Sequence, residues 1–338
     1  MEMNRRELFG IGTAWAATVA PGCVPLVTGL TASAAFAQAQ SFPSAPVKLI
    51  TQGAPASGPD VVARIVFDDI GRRWKQQVVI LNATGAGGSI AAKQAVQAPP
   101  DGYTLYLPAA SAFIVMPEMF PNLNIDMVAD FSPVGFVAEQ PMVICVSPDL
   151  KVSSIGELAV LSKVKPGSLN FAANARGTLP HLTAERLRSQ AGIDMTYIPY
   201  PGAAAGLQDL IGGRISVIVE GLGTLLGAIQ NGSIKPLAVT SLLRLPNFPN
   251  IPTVAESLPG FLATGWFALL APRGTPDDIV KQVNRDLNEA LLAPAVKDKL
   301  DAMATIVRPM SVSETAAFLK REQEAWRPVV KQIGFAPQ

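Results

Sequence analysis

The stretch Val47-Lys48-Leu49-Ile50-Thr51-Gln52-Gly53-Ala54-Pro55-Ala56-Ser57-Gly58-Pro59-Asp60-Val61-Val62-Ala63-Arg64 passes from an apolar, β-branched run through a loop of small residues into a helical pattern. Residues 47–50 read as a strand. From about Asp60, Val61, Val62, Ile65, Val66 and Ile70 fall on one face of a helix. A strand handed to a helix across a tight loop is the repeating unit of α/β construction, so this stretch decides the fold class.

The unit recurs outward from there. A second strand at 78–81 enters Thr84-Gly85-Ala86-Gly87-Gly88-Ser89 and another helix, and Pro99-Pro100-Asp101-Gly102 turns the chain into a strand at 103–107. The β-rich run at 134–146 is long enough to cross between two lobes. A helix is expected at 153–163 with Ser154 and Glu157 as a capping box, followed by a strand at 169–173 and a helix from near Pro180. Further strands are expected at 195–198, 215–220 and 236–240, and Gly265-Trp266-Phe267-Ala268-Leu269-Leu270 reads as the return crossing. The remainder is helical, with Thr275 expected as a cap, Pro276 at the first helical position and Pro328 kinking the last helix. The predicted fold is α/β, built as two Rossmann-like lobes joined by two crossing strands with a ligand cleft between them. Lobe 1 takes residues 42–141 and 266–338, and lobe 2 takes 142–265.

The chain has 338 residues, 49% hydrophobic and 16% charged, as expected of an ordered globular protein too long for one average domain. Lys+Arg at 27 nearly cancel Asp+Glu at 26, which gives no basic field for a phosphate backbone and argues against nucleic acid. The first 37 residues read as a twin-arginine-like export leader. Arg5 and Arg6 lead a weakly apolar stretch at 11–30, and Ala35-Phe36-Ala37 offers a cleavage site near Ala37. Pro21, Pro25 and the small residues make that stretch a poor membrane anchor, and nothing else offers the roughly 18 apolar residues a span requires. Cys23 lies in the leader, where a lipobox reading lacks its leucine. Cys145, in Val143-Ile144-Cys145-Val146, is left as a buried small hydrophobe.

Three loops leave strands and enter helices, where unpaired N–H groups and the helix dipole suit an anion such as a carboxylate. The first holds Ala56, Ser57 and Asp60; Asp60 either caps the helix or holds an ordered water. The second is Gly85-Ala86-Gly87-Gly88, either a close approach for an anion to the backbone or a tight turn alone. The third is Asn174-Ala175-Arg176-Gly177-Thr178, in which Arg176 either forms a bidentate pair with a carboxylate or is simply solvated. Glu220, at the end of a strand, meets either a ligand hydroxyl or amine or a structural partner. His181, the single histidine, reads as a support for the hinge or a cap.

Enzyme signatures are missing: there is no G-x-S-x-G, H-E-x-x-H or Walker lysine, no catalytic residue is nominated, and no metal or cofactor is expected. Gly221-Leu222-Gly223-Thr224-Leu225-Leu226-Gly227 approaches a dinucleotide turn, but its third glycine is one position late.

A set of short motifs carries a resemblance over residues 46–333. It includes Asp60-Val61-Val62-Ala63-Arg64, Gly85-Ala86-Gly87-Gly88, Pro100-Asp101-Gly102-Tyr103-Thr104-Leu105 and Asp130-Phe131-Ser132-Pro133-Val134. Later come Lys165-Pro166-Gly167, His181-Leu182, Leu237-Ala238-Val239-Thr240, Ile251-Pro252-Thr253-Val254-Ala255-Glu256 and Ala271-Pro272-Arg273-Gly274-Thr275-Pro276. In their order and spacing they resemble the substrate-binding receptors of tripartite tricarboxylate transporters, the TctC or Bug family. The resemblance implies a type II-like periplasmic binding protein that closes on a small organic carboxylate and delivers it to a two-component integral membrane partner; a monomer is expected. It also implies that the first two loops hold one carboxylate and that the second lobe contributes its glycine loop and the acidic position filled here by Glu220. The chain departs from the family pattern at Ala56-Ser57, where paired glycines are usual, at Arg176 and at Glu220, where Asp is usual. Arg176 facing a second carboxylate would favour a dicarboxylic or aromatic acid. Two other roles stay open: sensing the ligand for a membrane kinase, and an exported nucleotide-dependent enzyme.

Overall fold

In a computed structural model the structure describes residues 42–173 and 176–334. The leader reading, with Cys23, and Asn174 and Ala175 of the third loop lie outside the described residues. The first strand-loop-helix unit is β1 (Val47–Thr51) and α1 (Gly58–Trp74), followed by β2 (Val78–Asn82), α2 (Ser89–Val96) and β3 (Thr104–Leu107). Short helices α3 (Ala110–Ile114) and α4 (Met116–Met119) lead to the long strand β4 (Phe131–Val146). Then come α5 (Ile155–Val164), β5 (Asn170–Ala173), α6 (Leu179–Ala191), β6 (Thr196–Pro199), α7 (Ala203–Ile211), β7 (Val217–Gly221), α8 (Leu222–Gln230) and β8 (Lys235–Val239). The chain ends with α9 (Val254–Ser257), β9 (Thr264–Pro272), α10 (Asp277–Leu292), α11 (Pro294–Ala302), β10 (Ile306–Val307) and α12 (Val312–Ile333).

The strand order is β2-β1-β3-β9-β4-β7-β5-β6, with β8 and β10 also paired to β4. Pairings of β1 with β2 and β3, and of β5 with β6 and β7, are parallel; every pairing of β4 is antiparallel. β4 changes partners part-way along. Phe131 to Pro141 face β9, and Met142 to Val146 face β7 and β8. The 16-residue strand is therefore shared by two sheets, one on each side of the Pro141–Met142 bond.

Each sheet buries its own helices because the apolar positions recur at helical spacing. Val62, Val66 and Ile70 of α1 pack with Leu49, Leu105 and Leu269, and Leu222 and Leu225 of α8 pack with Val143, Cys145 and Ile218. A third cluster runs through both sheets, from Tyr106 and Phe136 to Trp266, Phe171 and Leu182. Cys145 is fully buried, and desolvation pushes its thiol up.

Two local expectations are corrected. Thr275 does not cap α10: its hydroxyl donates to the Pro272 carbonyl (2.8 Å), and the extended Pro276 is the N-cap itself. Ser154 does cap α5, but Glu157 reaches back to the N–H of Ser153 (2.7 Å) rather than to that of Ser154. α12 continues past Pro328, an exposed position inside the helix.

Candidate functional site

The first loop is held from beneath. The Asp60 carboxylate, 1% exposed, accepts from the Ala56 N–H (2.8 Å), from Arg64 Nε (3.0 Å) and Nη2 (2.9 Å), and from Asn82 Nδ2 (2.9 Å). These four bonds use the acceptor capacity of a carboxylate, so Asp60 shapes the loop. Burial alone would raise its pKa, but the bonds from Arg64, Asn82 and Ala56 outweigh it and hold the carboxyl below the usual range. Asn82 also donates to the Gly53 carbonyl (2.8 Å), which ties the end of β2 to the same loop. Under this tension Ala56 adopts φ +64°, a left-handed conformation that an L-residue with a Cβ pays for in strain.

Ser57 is the N-cap of α1, with the extended backbone a cap requires, yet its hydroxyl makes no capping bond. Its Oγ is buried without a hydrogen-bond partner. Thr178 repeats the arrangement at the N-cap of α6, where Oγ1 is likewise buried and unpaired. The two helices thus begin without a side-chain cap, their hydroxyls idle.

The second loop turns through Gly85, Gly87 and Gly88, at φ +110°, +62° and +98°, which side chains rarely adopt. A Cβ on Gly88 would lie 2.5 Å from Gln52 Oε1, so the loop and the end of β1 are in close contact. Ala86 sits in a short 3-10 turn between these glycines.

In the third loop Arg176 is exposed and Gly177 is buried. A Cβ on Gly177 would meet Met119 Sδ at 2.7 Å and Val115 Cγ1 at 3.2 Å, which places this loop against α3 and α4. The Gly177 N–H donates to His181 Nδ1 (3.4 Å), and the imidazole, 2% exposed, lies 4.4 Å from the Tyr197 ring. Desolvation, joined by the charges of Arg176 and Arg188, lowers His181 to about 4. His181 is therefore neutral at pH 7 and supports the loop as an acceptor. Glu220, 7% exposed at the end of β7, accepts from the Gly221 N–H (3.0 Å).

Gln140 links these parts and was not singled out from the sequence. Its amide lies between the first residue of α1 and the N-cap of α8: a Cβ on Gly58 would be 3.1 Å from Oε1, and one on Gly221 would also be 3.1 Å from Oε1. Its register partner on β9 is Gly265, where a Cβ would meet Leu179 of α6 at 3.2 Å. The signal was an amide embedded in an apolar crossing strand. Gln52, which donates to Ser111 Oγ (2.9 Å), was missed in the same way.

A model of the tripartite tricarboxylate transporter family receptor matches residues 62–335. The chain belongs to that family. This receptor is 33% identical over 303 residues to BugT of Bordetella pertussis, covering 89% of this chain and 93% of BugT. An R. palustris protein solved with adipate superposes with a TM-score of 0.81 at 30% identity, over 88% of the receptor and all of that protein. MatC of Rhodopseudomonas palustris, solved with bound malate, gives 0.77 at 28% identity over 86% of this chain and all of MatC. The mixed α/β fold expected from the sequence is the fold of these proteins. No described helix of the receptor is long and apolar enough to cross a membrane.

Proposed function

We propose that this receptor is exported to the periplasm, loses its leader near Ala37 and captures a small carboxylate, with a di- or aromatic acid favoured, for two integral membrane transporter subunits. The observation that carries this is the pair of N-caps that do not cap. Ser57 and Thr178 leave the N-termini of α1 and α6 open, with two buried hydroxyls lacking partners. A carboxylate satisfies donors of this kind, and helix dipoles favour its charge. Adipate and malate, held by the two structural relatives, are both dicarboxylates.

In this reading the protein is a monomeric binding protein and not an enzyme, and it works by closure. Lobe 1 (42–141 and 266–338) offers the backbone of Ala56 and Ser57 and of Gly85-Ala86-Gly87-Gly88. Lobe 2 (142–265) offers Arg176, Gly177, Thr178 and Glu220. Asp60 clamps the first loop. The change of partners by β4 at Pro141–Met142 supports this division. A ligand touching both lobes favours the closed state by its differential contacts.

The test is a thermal-shift screen of the mature protein against mono-, di- and tricarboxylates, aromatic acids, amino acids and nucleotides. An acid at 100 times its Kd adds about 2.7 kcal/mol, seen as a rise of several degrees. A flat response to every acid overturns the receptor reading.

A further inference from the structure

We propose that Gln140 is a ligand-binding residue of the crossing strand, its side-chain amide donating to a carboxylate oxygen of the captured acid. The inference rests on the receptor reading above and adds a contact that does not belong to any of the three loops.

Gln140 is 7% exposed, and its Nε2 is buried without an acceptor. A buried amide donor left unpaired is costly, so a site that keeps one is built for an acceptor that arrives from outside. The surroundings say what kind. The amide lies between Gly58, the first residue of the 17-residue α1, and Gly221, the N-cap of the 9-residue α8. Leu179, the first residue of α6, borders Gly265 across the strand pair. Two helix N-termini, those of α1 and α8, thus flank one amide. Their dipoles present positive ends, and the Gly221 N–H is already given to Glu220 Oε1 (3.0 Å), so Nε2 finds no acceptor among them. Oε1 lies against Gly58 and Gly221, near the positive ends, and Nε2 is the amide atom buried without a partner. Glycine at both positions makes the approach possible, since a Cβ at either would crowd the amide. The group that fits is an anionic oxygen with several lone pairs, a carboxylate.

Position gives the contact its consequence. Gln140 precedes the Pro141–Met142 bond at which β4 passes from one sheet to the other. An acid held there touches the strand common to both lobes as well as the loops of each.

The experiment is calorimetric titration of wild type, Gln140→Met and Gln140→Glu with adipate, malate and the other acids of the screen, with the melting temperature of each unliganded protein as control. Met keeps the volume and removes the donor. The expected result is an unliganded melting temperature equal to or above wild type and an affinity lower by about tenfold, the scale of one hydrogen bond to a charged group. Glu, which adds a like charge, is expected to lose more at pH 7.5 and to recover part of the difference from wild type at pH 5.5, where a protonated carboxyl can donate. Should Met fail to fold, the Glu variant and the side-chain amide resonance of Gln140, expected to shift with saturating acid, carry the test. Affinities within threefold of wild type for the variants, or an amide resonance that does not move, overturn the inference while leaving the receptor reading intact. If wild type binds no acid in the screen, the receptor reading fails and this inference falls with it.

Discussion

Five helix N-termini with Ser or Thr at the cap divide into two kinds. Ser154 on α5, Thr253 on α9 and Ser311 on α12 accept from the N–H groups of Glu157 (3.1 Å), Glu256 (3.2 Å) and Glu314 (3.2 Å). The Glu256 and Glu314 carboxylates complete the reciprocal boxes. Ser57 on α1 and Thr178 on α6 have the same residue types and the same extended backbone, yet they make no such bond. The difference lies in what stands three residues on. A glutamate there completes a local cap, whereas Asp60 is drawn under the loop by Arg64 and Asn82, and His181 accepts from the Gly177 N–H. The first kind closes a helix end for stability. The second kind leaves it without a side-chain cap, where the proposed function puts the ligand.

The largest expected effect concerns the support beneath Thr178. His181 titrates at about 4 when folded against 6.5 when unfolded. Its contribution is fully present above about pH 6.5 and is lost as pH falls toward 4, worth on the order of 3 kcal/mol. The groups facing it are Arg176, Arg188, Glu185 and Tyr197. Chemical denaturation from pH 7 to 4 is expected to show that loss in wild type, and His181→Gln is expected to flatten it. An unchanged slope in the variant would remove His181 from the account.

Next come the open caps. Ser57→Ala and Thr178→Val are each expected to weaken carboxylate affinity about tenfold, some 1.4 kcal/mol, with melting temperature unchanged or raised because an unpaired buried hydroxyl is gone. The closed caps should behave in the opposite way. Ser311→Ala is expected to cost about 1 kcal/mol of stability with affinity untouched. A result in which both kinds of variant lose stability equally would erase the distinction between them. The smallest effect is expected at Ala56, whose φ of +64° suits glycine. Ala56→Gly should raise stability by about half a kcal/mol or leave it level, the relief of strain being partly offset by unfolded-chain entropy. Urea unfolding midpoints resolve both.

Much of this was legible along the chain. Apolar periodicity marked β1, α1 and the crossing strands, because one face of each must be buried in any α/β packing. Gly85, Gly87 and Gly88 announced a loop free of side chains, and the backbone turns through all three at positive φ. The capping expectation for Ser154 held, since its partner is three residues away and the bond is local. What escaped were features that join distant segments. Asp60 could not be told from a helix cap until Asn82 and the Ala56 N–H were brought to it. Thr275 had the chemistry of a cap but turned to the Pro272 carbonyl. Gln140 looked like one polar residue in an apolar run.

The sequence by itself determined the α/β class, the family and the loops that carry small residues into helices, because these depend on neighbours within a few positions. Only the tertiary structure decided which caps stay open and which amide stands between α1 and α8. Those outcomes depend on segments about 80 to 160 positions apart meeting at one point, as Gly58, Gln140 and Gly221 do, and no local propensity encodes a contact of that span.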